Sequence, residues 1–284
     1  MLGNEIPREG VIVPNEKEIR DLTPNQSIED AFGGTLDTLI HFAHRYPRQI
    51  SSVEKNAFKE LEAVPGLAQR AYYSIPYKEG GTPRMVEGLS IKASSALTRH
   101  WGNCGSHGRV AREDGSNFYA HAIAIDFESL IIKGTEWRVS KFYKPRGGQG
   151  LQAWDDTMMR NQVMAGISKA RRNVELLMFP EWLKTGYFEM AKDLVVHPPK
   201  HGHKIVDSVK TRIIQGKGAI IKDFGVTPEE IETYVTENME GLDDASVLTS
   251  IVSLYTGLKD GTVHVEKIFN RKNKKDVVMP EAKK

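Results

Sequence analysis

The sequence predicts an α+β fold: an antiparallel sheet in strand–helix–three strands–long helix order, helices on one face, and a small all-helical C-terminal module. Three observations predict it. Residues 108–144 hold three strand-like runs, "GRVARE", "NFYAHAIAIDFE" and "TEWRVSKFYK", separated by the hairpin signals Asp114-Gly115 and Lys133-Gly134. The middle run alternates Tyr119, His121, Ile123 and Ile125 with Phe118, Ala120, Ala122 and Ala124, and a face of small residues suits a closely packed helix. From about Gln152 to Met178, the residues Met159, Val163, Ile167, Ala170, Val174 and Leu177 recur at helical spacing, a buried stripe.

The remaining elements follow in chain order. Residues 1–26, rich in Pro, Asn and charge without periodicity, read as a flexible segment. A helix is predicted over 27–45 despite Gly33-Gly34, and another over 52–62, capped by Ser51 or Ser52. "AYYSIPY" (71–77) reads as a strand ending near Pro76, followed by a glycine-proline turn that carries Lys78 and Arg84. Ser90 opens a helix running to about His100. Pro180 stops the long helix, and "EWLKTGYFEMAKDLV" starts the next. The predicted core is thus 27–196, then a linker over 197–204, a helical module over 205–270 and a basic tail over 271–284. Within the module, Thr227 and Pro228 mark a helix start.

Composition bounds the function class. The chain has 284 residues, 39% hydrophobic and 27% charged, ordinary values for a globular protein. No apolar run is long enough to span a bilayer, and the first residues lack a signal pattern, so a cytoplasmic setting is expected. The single cysteine, Cys104, excludes an intramolecular disulfide. The net charge of +2 hides a segregation. Residues 129–184 hold ten Lys/Arg against five Asp/Glu, whereas 223–246 hold eight acids and no base. That pattern implies a basic middle that meets an anion.

Three chemistries fit poorly. His100, Cys104 and His107 have a zinc-compatible spacing but no fourth ligand nearby, and helix-end and turn roles explain them more simply. Asp126 and Glu136, with Arg138, faintly resemble the carboxylates of a Mg²⁺-dependent nuclease, yet arginine cannot replace the lysine of that pattern. "QGKGAIIK" lacks the glycine spacing and the Ser/Thr of a phosphate loop, so no nucleotide, metal or other cofactor is expected.

Nucleic-acid binding by charge and stacking fits better. Arg138, Phe142 and Lys144 alternate onto one face of the third run, with Lys141 on the other beside Trp137, Val139 and Tyr143, which read as core, and the glycine loop adds Arg146. On the long helix, Arg160 and Arg171 share a flank about 16 Å apart, with Lys169 and Arg172 nearby. Lys78, Arg84 and Lys92 extend the same cationic set. Cations following a backbone while aromatic rings stack on bases is how single strands are held without reading sequence.

"YYSIPYKEGGTPRMVEGLSIKASSALTRHWGN", the basic three-stranded stretch and "WDDTMMRNQVMAGISKARRNVELLMFPEWL" together resemble phage single-strand annealing proteins of the RecT / lambda Red-beta superfamily, over roughly residues 70–195. Leu89 departs from that pattern, where the family usually has proline. The resemblance implies ATP-independent, non-enzymatic binding and annealing of single-stranded DNA in phage homologous recombination. It also implies a homo-oligomeric ring or filament, and a C-terminal module recruiting an exonuclease or a host single-strand-binding protein. It places Lys78, Arg160, Arg171 and Arg172 at DNA phosphates. The alternatives are a Mg²⁺-dependent nuclease and a phage module that binds protein or RNA.

Overall fold

The computed structural model describes residues 32–64, 66–143, 150–198, 207–261 and 263–269. The segments expected to be a flexible N-terminus, a linker and a basic tail lie wholly or mostly outside these residues, as do Lys144 and Arg146. Residues 27–31 of the helix expected over 27–45 lie outside the described residues; Gly33, at φ +53, opens a 3-10 turn over Gly33–Thr35, and α1 runs from Leu36 to Arg45. Helix α2 spans Ile50–Ala63 and begins earlier than expected. Gln49 takes the cap position, and its carbonyl accepts from the N–H groups of Ser52 and Val53, which puts Ser51 and Ser52 inside the helix.

After the short α3 (Leu67–Ala71), the single strand expected over 71–77 proves to be half of a hairpin, β1 (Tyr72–Glu79) and β2 (Thr82–Leu89). Pro83 and Gly88 mask β2 in the sequence, while Gly80 and Gly81, at φ +60 and +86, supply the two positive values that a tight hairpin turn requires. Ser90 caps α4 (Ile91–Trp101), its hydroxyl accepting from the N–H groups of Lys92 and Ala93. One core cluster joins Val53, Ala57 and Leu61 of α2, Ala93, Ala96, Leu97 and Trp101 of α4, and Leu183, Tyr187, Ala191 and Val195 of α6 (Glu181–Val196).

Strands β3 (Cys104–Glu113), β4 (Asn117–Asp126) and β5 (Ile131–Ser140) form an antiparallel sheet in that order. The first turn falls at Asp114-Gly115 as expected, with the Asp114 carboxylate accepting from the N–H groups of Ser116 and Asn117. The second does not fall at Lys133-Gly134, which pair inside the sheet with Ala124 and Ile123. It occupies residues 127–130, where Asp126 Oδ1 accepts from the N–H groups of Glu128 and Ser129 and Leu130 takes φ +56. A two-residue pair, β6 (Phe142–Tyr143) with β7 (Gln152–Ala153), follows.

Helix α5 (Asp156–Leu176) lies on the alanine face of β4: Ala120, Ala122 and Ala124 are buried with Ala170 and Val174. Two glycines let the layers close. A Cβ on Gly166 would sit 2.3 Å from Val139 Cγ2, and one on Gly108 would sit 2.7 Å from Arg171 Cγ. The stripe expected on α5 is buried at Ala170 and Val174 but ends before Leu177, which is exposed because the helix stops at Leu176. On the opposite face of the sheet Ile125 and Phe127 pack with Ala43, Leu36, Leu39 and Ile40 of α1, and Ile123 is buried as well.

The C-terminal region is helical: α7 (Val209–Phe224), α8 (Pro228–Met239), α9 (Asp244–Lys259) and α10 (Val265–Ile268). Thr227 forms the expected cap as a full capping box with Glu230, and Pro228 occupies the first turn. These helices have their own core around Ile220, Ile231, Ile251 and Leu254. They also touch the hairpin, where the Ser74 N–H donates to Ser253 Oγ at 2.9 Å. Among the described residues no helix is long and apolar enough to cross a membrane.

Candidate nucleic-acid interface

Strand β5 is an edge of the sheet, and α5 crosses its last residues at Gly166. The close approach that this glycine permits leaves a groove of about 160 Å³ beside the crossing. Trp137, Ser140, Phe142, Trp154, Gln162 and Lys169 line it, with Arg138 at its margin and Val139 and Gly166 against its floor. Each wall is fixed locally. Trp154 stacks on Tyr143 with ring centroids 4.3 Å apart, and its backbone N–H donates to the Lys141 carbonyl. Asp155 caps α5 by accepting from the Met158 N–H at 2.8 Å, which sets the direction of Gln162 and Lys169. The Lys169 ammonium lies 5.2 Å from the Trp137 ring centroid. A groove combining aromatic rings, an amide and an exposed ammonium can stack a base and neutralise its phosphate.

Of the cations expected from sequence, the structure brings Arg138 and Lys169 together at this groove, with Phe142. Arg138 makes no ion pair or hydrogen bond among the described residues. Lys141 turns away: its ammonium donates to the Asp114 carbonyl at 2.5 Å, pairs with Glu113 and sits over the Phe118 ring. Arg160 and Lys92 are exposed in the first turns of α5 and α4. Arg171 is committed within the fold. It donates to Glu175 at 3.0 Å and to Ser106, while the buried Glu175 also accepts from the Ser94 and Ser106 hydroxyls at 2.6 Å each. Arg172 donates to Asn173 and lies over Tyr73. At the hairpin tip Arg84 pairs with Glu79 at 2.9 Å, and Lys78 reaches the Thr236 carbonyl of α8 and Glu240 just after it. The sheet edge and the helix therefore converge, and the hairpin cations are occupied by their own chain.

The Trp101-Gly102-Asn103 ending of α4 is structural. Arg48 forms ion pairs with Asp126 at 2.6 Å and Glu128 at 3.0 Å, with its guanidinium carbon 4.5 Å from the Trp101 ring centroid. Trp101 Nε1 donates to Asp126, and Asn103 Nδ2 donates to Glu128 and to the Tyr46 carbonyl. Gly102, at φ +64, allows the reversal that aims both side chains at these carboxylates.

The same geometry corrects the nuclease pair. Asp126 pairs with Ile131 across the sheet, whereas Glu136 pairs with His121, five positions along β4 from Asp126 or about 17 Å. One metal ion cannot bridge them. The zinc-compatible set is also apart: His100 meets Glu60, burial pushes the Cys104 thiol up to about 12, and His107 is exposed on the sheet. Among the described residues no group of three metal-binding side chains forms. "QGKGAIIK" lies inside α7 with its Lys217 paired to Glu232, so it is no loop.

Trp154 and Gln162 escape the sequence reading, and Trp137 reads there as core. An aromatic residue on an edge strand beside a glycine of the covering helix is the pattern that would have exposed them. The molecule is thus an α+β protein with an aromatic and cationic groove at one sheet edge. Comparison of the chain with protein-family models, with curated proteins and with solved structures finds no match in any of the three.

Proposed function

We propose that the protein binds single-stranded DNA and anneals complementary strands without ATP, in the manner of the phage recombination proteins its sequence resembles. The observation that carries the reading is the groove in which Trp137, Phe142 and Trp154 stand with Lys169 and Arg138. Rings offer faces to unpaired bases, and cations lower the repulsion between two phosphate backbones. Annealing requires no catalytic group. The reading carries the further proposals of a ring or filament of copies, and of a C-terminal helical module recruiting an exonuclease or a host single-strand-binding protein.

The test mixes two complementary oligonucleotides, one carrying a fluorophore and the other a quencher, at a concentration where spontaneous pairing is slow. Wild-type protein is expected to accelerate quenching without nucleotide, and Trp154→Ala/Lys169→Ala to lose most of that acceleration. Wild-type protein that neither binds nor pairs the strands would overturn the proposal. Degradation of the strands with Mg²⁺ would favour the nuclease instead.

A further inference from the structure

Building on the single-strand reading above, we propose that the exposed face of the β1–β2 hairpin lengthens the groove into a track for single-stranded DNA, with Arg172 of α5 as the link. Burial alternates along the hairpin. Tyr72, Ser74 and Pro76 are buried on one face, where the Tyr72 ring meets Phe188 of α6 and the Ser74 N–H meets Ser253 of α9. On the other face Ile75, Tyr77 and Val86 are 51, 37 and 47% exposed.

Strand register groups these side chains. Tyr73 stands opposite Gly88, Ile75 opposite Val86 and Tyr77 opposite Arg84. The Glu87 carboxylate belongs to the other face, where it accepts from the Ser74 hydroxyl and pairs with Lys192. Glu79, at the tip, is held by Arg84. The hairpin therefore brings no unpaired carboxylate to the exposed face. Gly88 shapes its base: a Cβ there would sit 2.5 Å from the Tyr73 hydroxyl oxygen, so glycine lets that ring lie across β2.

Helix α5 joins this face to the groove. Lys169 and Arg172 are three residues apart, hence neighbours on the helix surface about 4.5 Å apart along its axis. The Lys169 ammonium lies 5.2 Å from the Trp137 ring centroid in the groove, and the Arg172 guanidinium carbon 5.2 Å from the Tyr73 centroid on the hairpin. Ring, cation, cation, ring thus follow one another across the helix. Arg172 forms no ion pair among the described residues, and its hydrogen bonds go to the neutral Asn173 amide. Its charge is therefore open to a phosphate, unlike that of Arg171, which Glu175 holds. The charge selects a polyanion, while the rings and aliphatic pair of the hairpin suit base faces and thymine methyl groups. From Tyr73 to Tyr77 the face adds about 14 Å to the track.

The test measures binding of the full chain to a fluorescent oligothymidylate by anisotropy, across a series of salt concentrations. It compares wild type, the groove variant Trp154→Ala/Lys169→Ala, the hairpin variant Tyr77→Ala/Arg172→Ala and the conservative Tyr77→Phe/Arg172→Lys. Loss of one stacked ring and one phosphate contact is expected to weaken the hairpin variant about tenfold or more, and to make its slope of log K against log salt shallower by about 0.7. The conservative variant is expected to restore the slope and most of the affinity. A hairpin variant with wild-type affinity and slope, beside a weakened groove variant, overturns the longer track and leaves the groove standing. The same unchanged binding with a smaller assembly in sedimentation makes the face a contact between copies, which also overturns the track. A weakened hairpin variant beside an unaffected groove variant keeps DNA on the hairpin and removes the groove. Wild-type protein that fails to bind removes both. Melting curves check the fold; if the double variant melts early, Tyr77→Ala alone, at an exposed position, carries the affinity test.

Discussion

Replacing Arg48 by methionine keeps much of the side-chain volume and removes the charge at the centre of the Trp101–Asn103 network. The wild-type guanidinium makes two contacts to Asp126, at 2.6 and 2.7 Å, and one to Glu128 at 3.0 Å. Asp126 and Arg48 side chains are 8% and 9% exposed, so water replaces little of what is lost. Breaking one partner of a buried pair costs about 3–5 kcal/mol, because the other charge is left uncompensated. Glu128 is more exposed and retains the Arg48 N–H and Asn103, so its share is the smaller. A loss of about 3–4 kcal/mol is therefore expected for Arg48→Met, within the range for one buried partner. Urea denaturation followed by tryptophan fluorescence reads it as a lower midpoint at unchanged slope. Asp126→Asn in the same background removes the stranded charge, so the double variant is expected to be more stable than the summed single losses by about 1–3 kcal/mol. A loss under about 1 kcal/mol for Arg48→Met, or strict additivity in the cycle, would refute the account of this network.

Three further outcomes follow from particular contacts. Gly166→Ala, which gains about 1 kcal/mol in an open helix, is expected to lose about 1–3 kcal/mol here because its Cβ meets Val139 at 2.3 Å. Val139→Ala should restore part of that loss in thermal melts. Ser90→Ala is expected to lower stability by about 1 kcal/mol in the same melts by removing the α4 cap. The Asp114 carboxylate is held down to about 2, first by the Ser116 N–H and then by the Tyr119 hydroxyl. Its folded value lies below the unfolded one, so its contribution is present above about pH 4 and lost as pH falls through about 2. A carboxyl NMR titration midpoint in the ordinary aspartate range would contradict this.

Local signals that agree with packing were legible in the sequence. The alanine face of β4, the α5 positions Ala170 and Val174, the Ser90 and Thr227 caps and the Asp114 turn all follow from side-chain period or cap chemistry. Features set by tertiary contact were not. β2 is hidden because Pro83 and Gly88 argue against a strand, yet it pairs with β1 along its length. The second sheet turn is made by the Asp126 side chain and not by a glycine. The fate of Arg171 depends on Glu175, whose burial beside Ser94 and Ser106 has no sequence signature. The shift between Val110 and Arg112 breaks the side-chain alternation of β3, which no sequence signal marks.

Ultraviolet cross-linking of the full chain to oligothymidylate, with the attached peptides identified by mass spectrometry, tests the central claim most directly. Adducts at Trp137, Phe142 or Trp154 are the predicted result, since these rings line the groove. Adducts confined to the C-terminal helices, or a pattern unchanged by Trp154→Ala/Lys169→Ala, would contradict it.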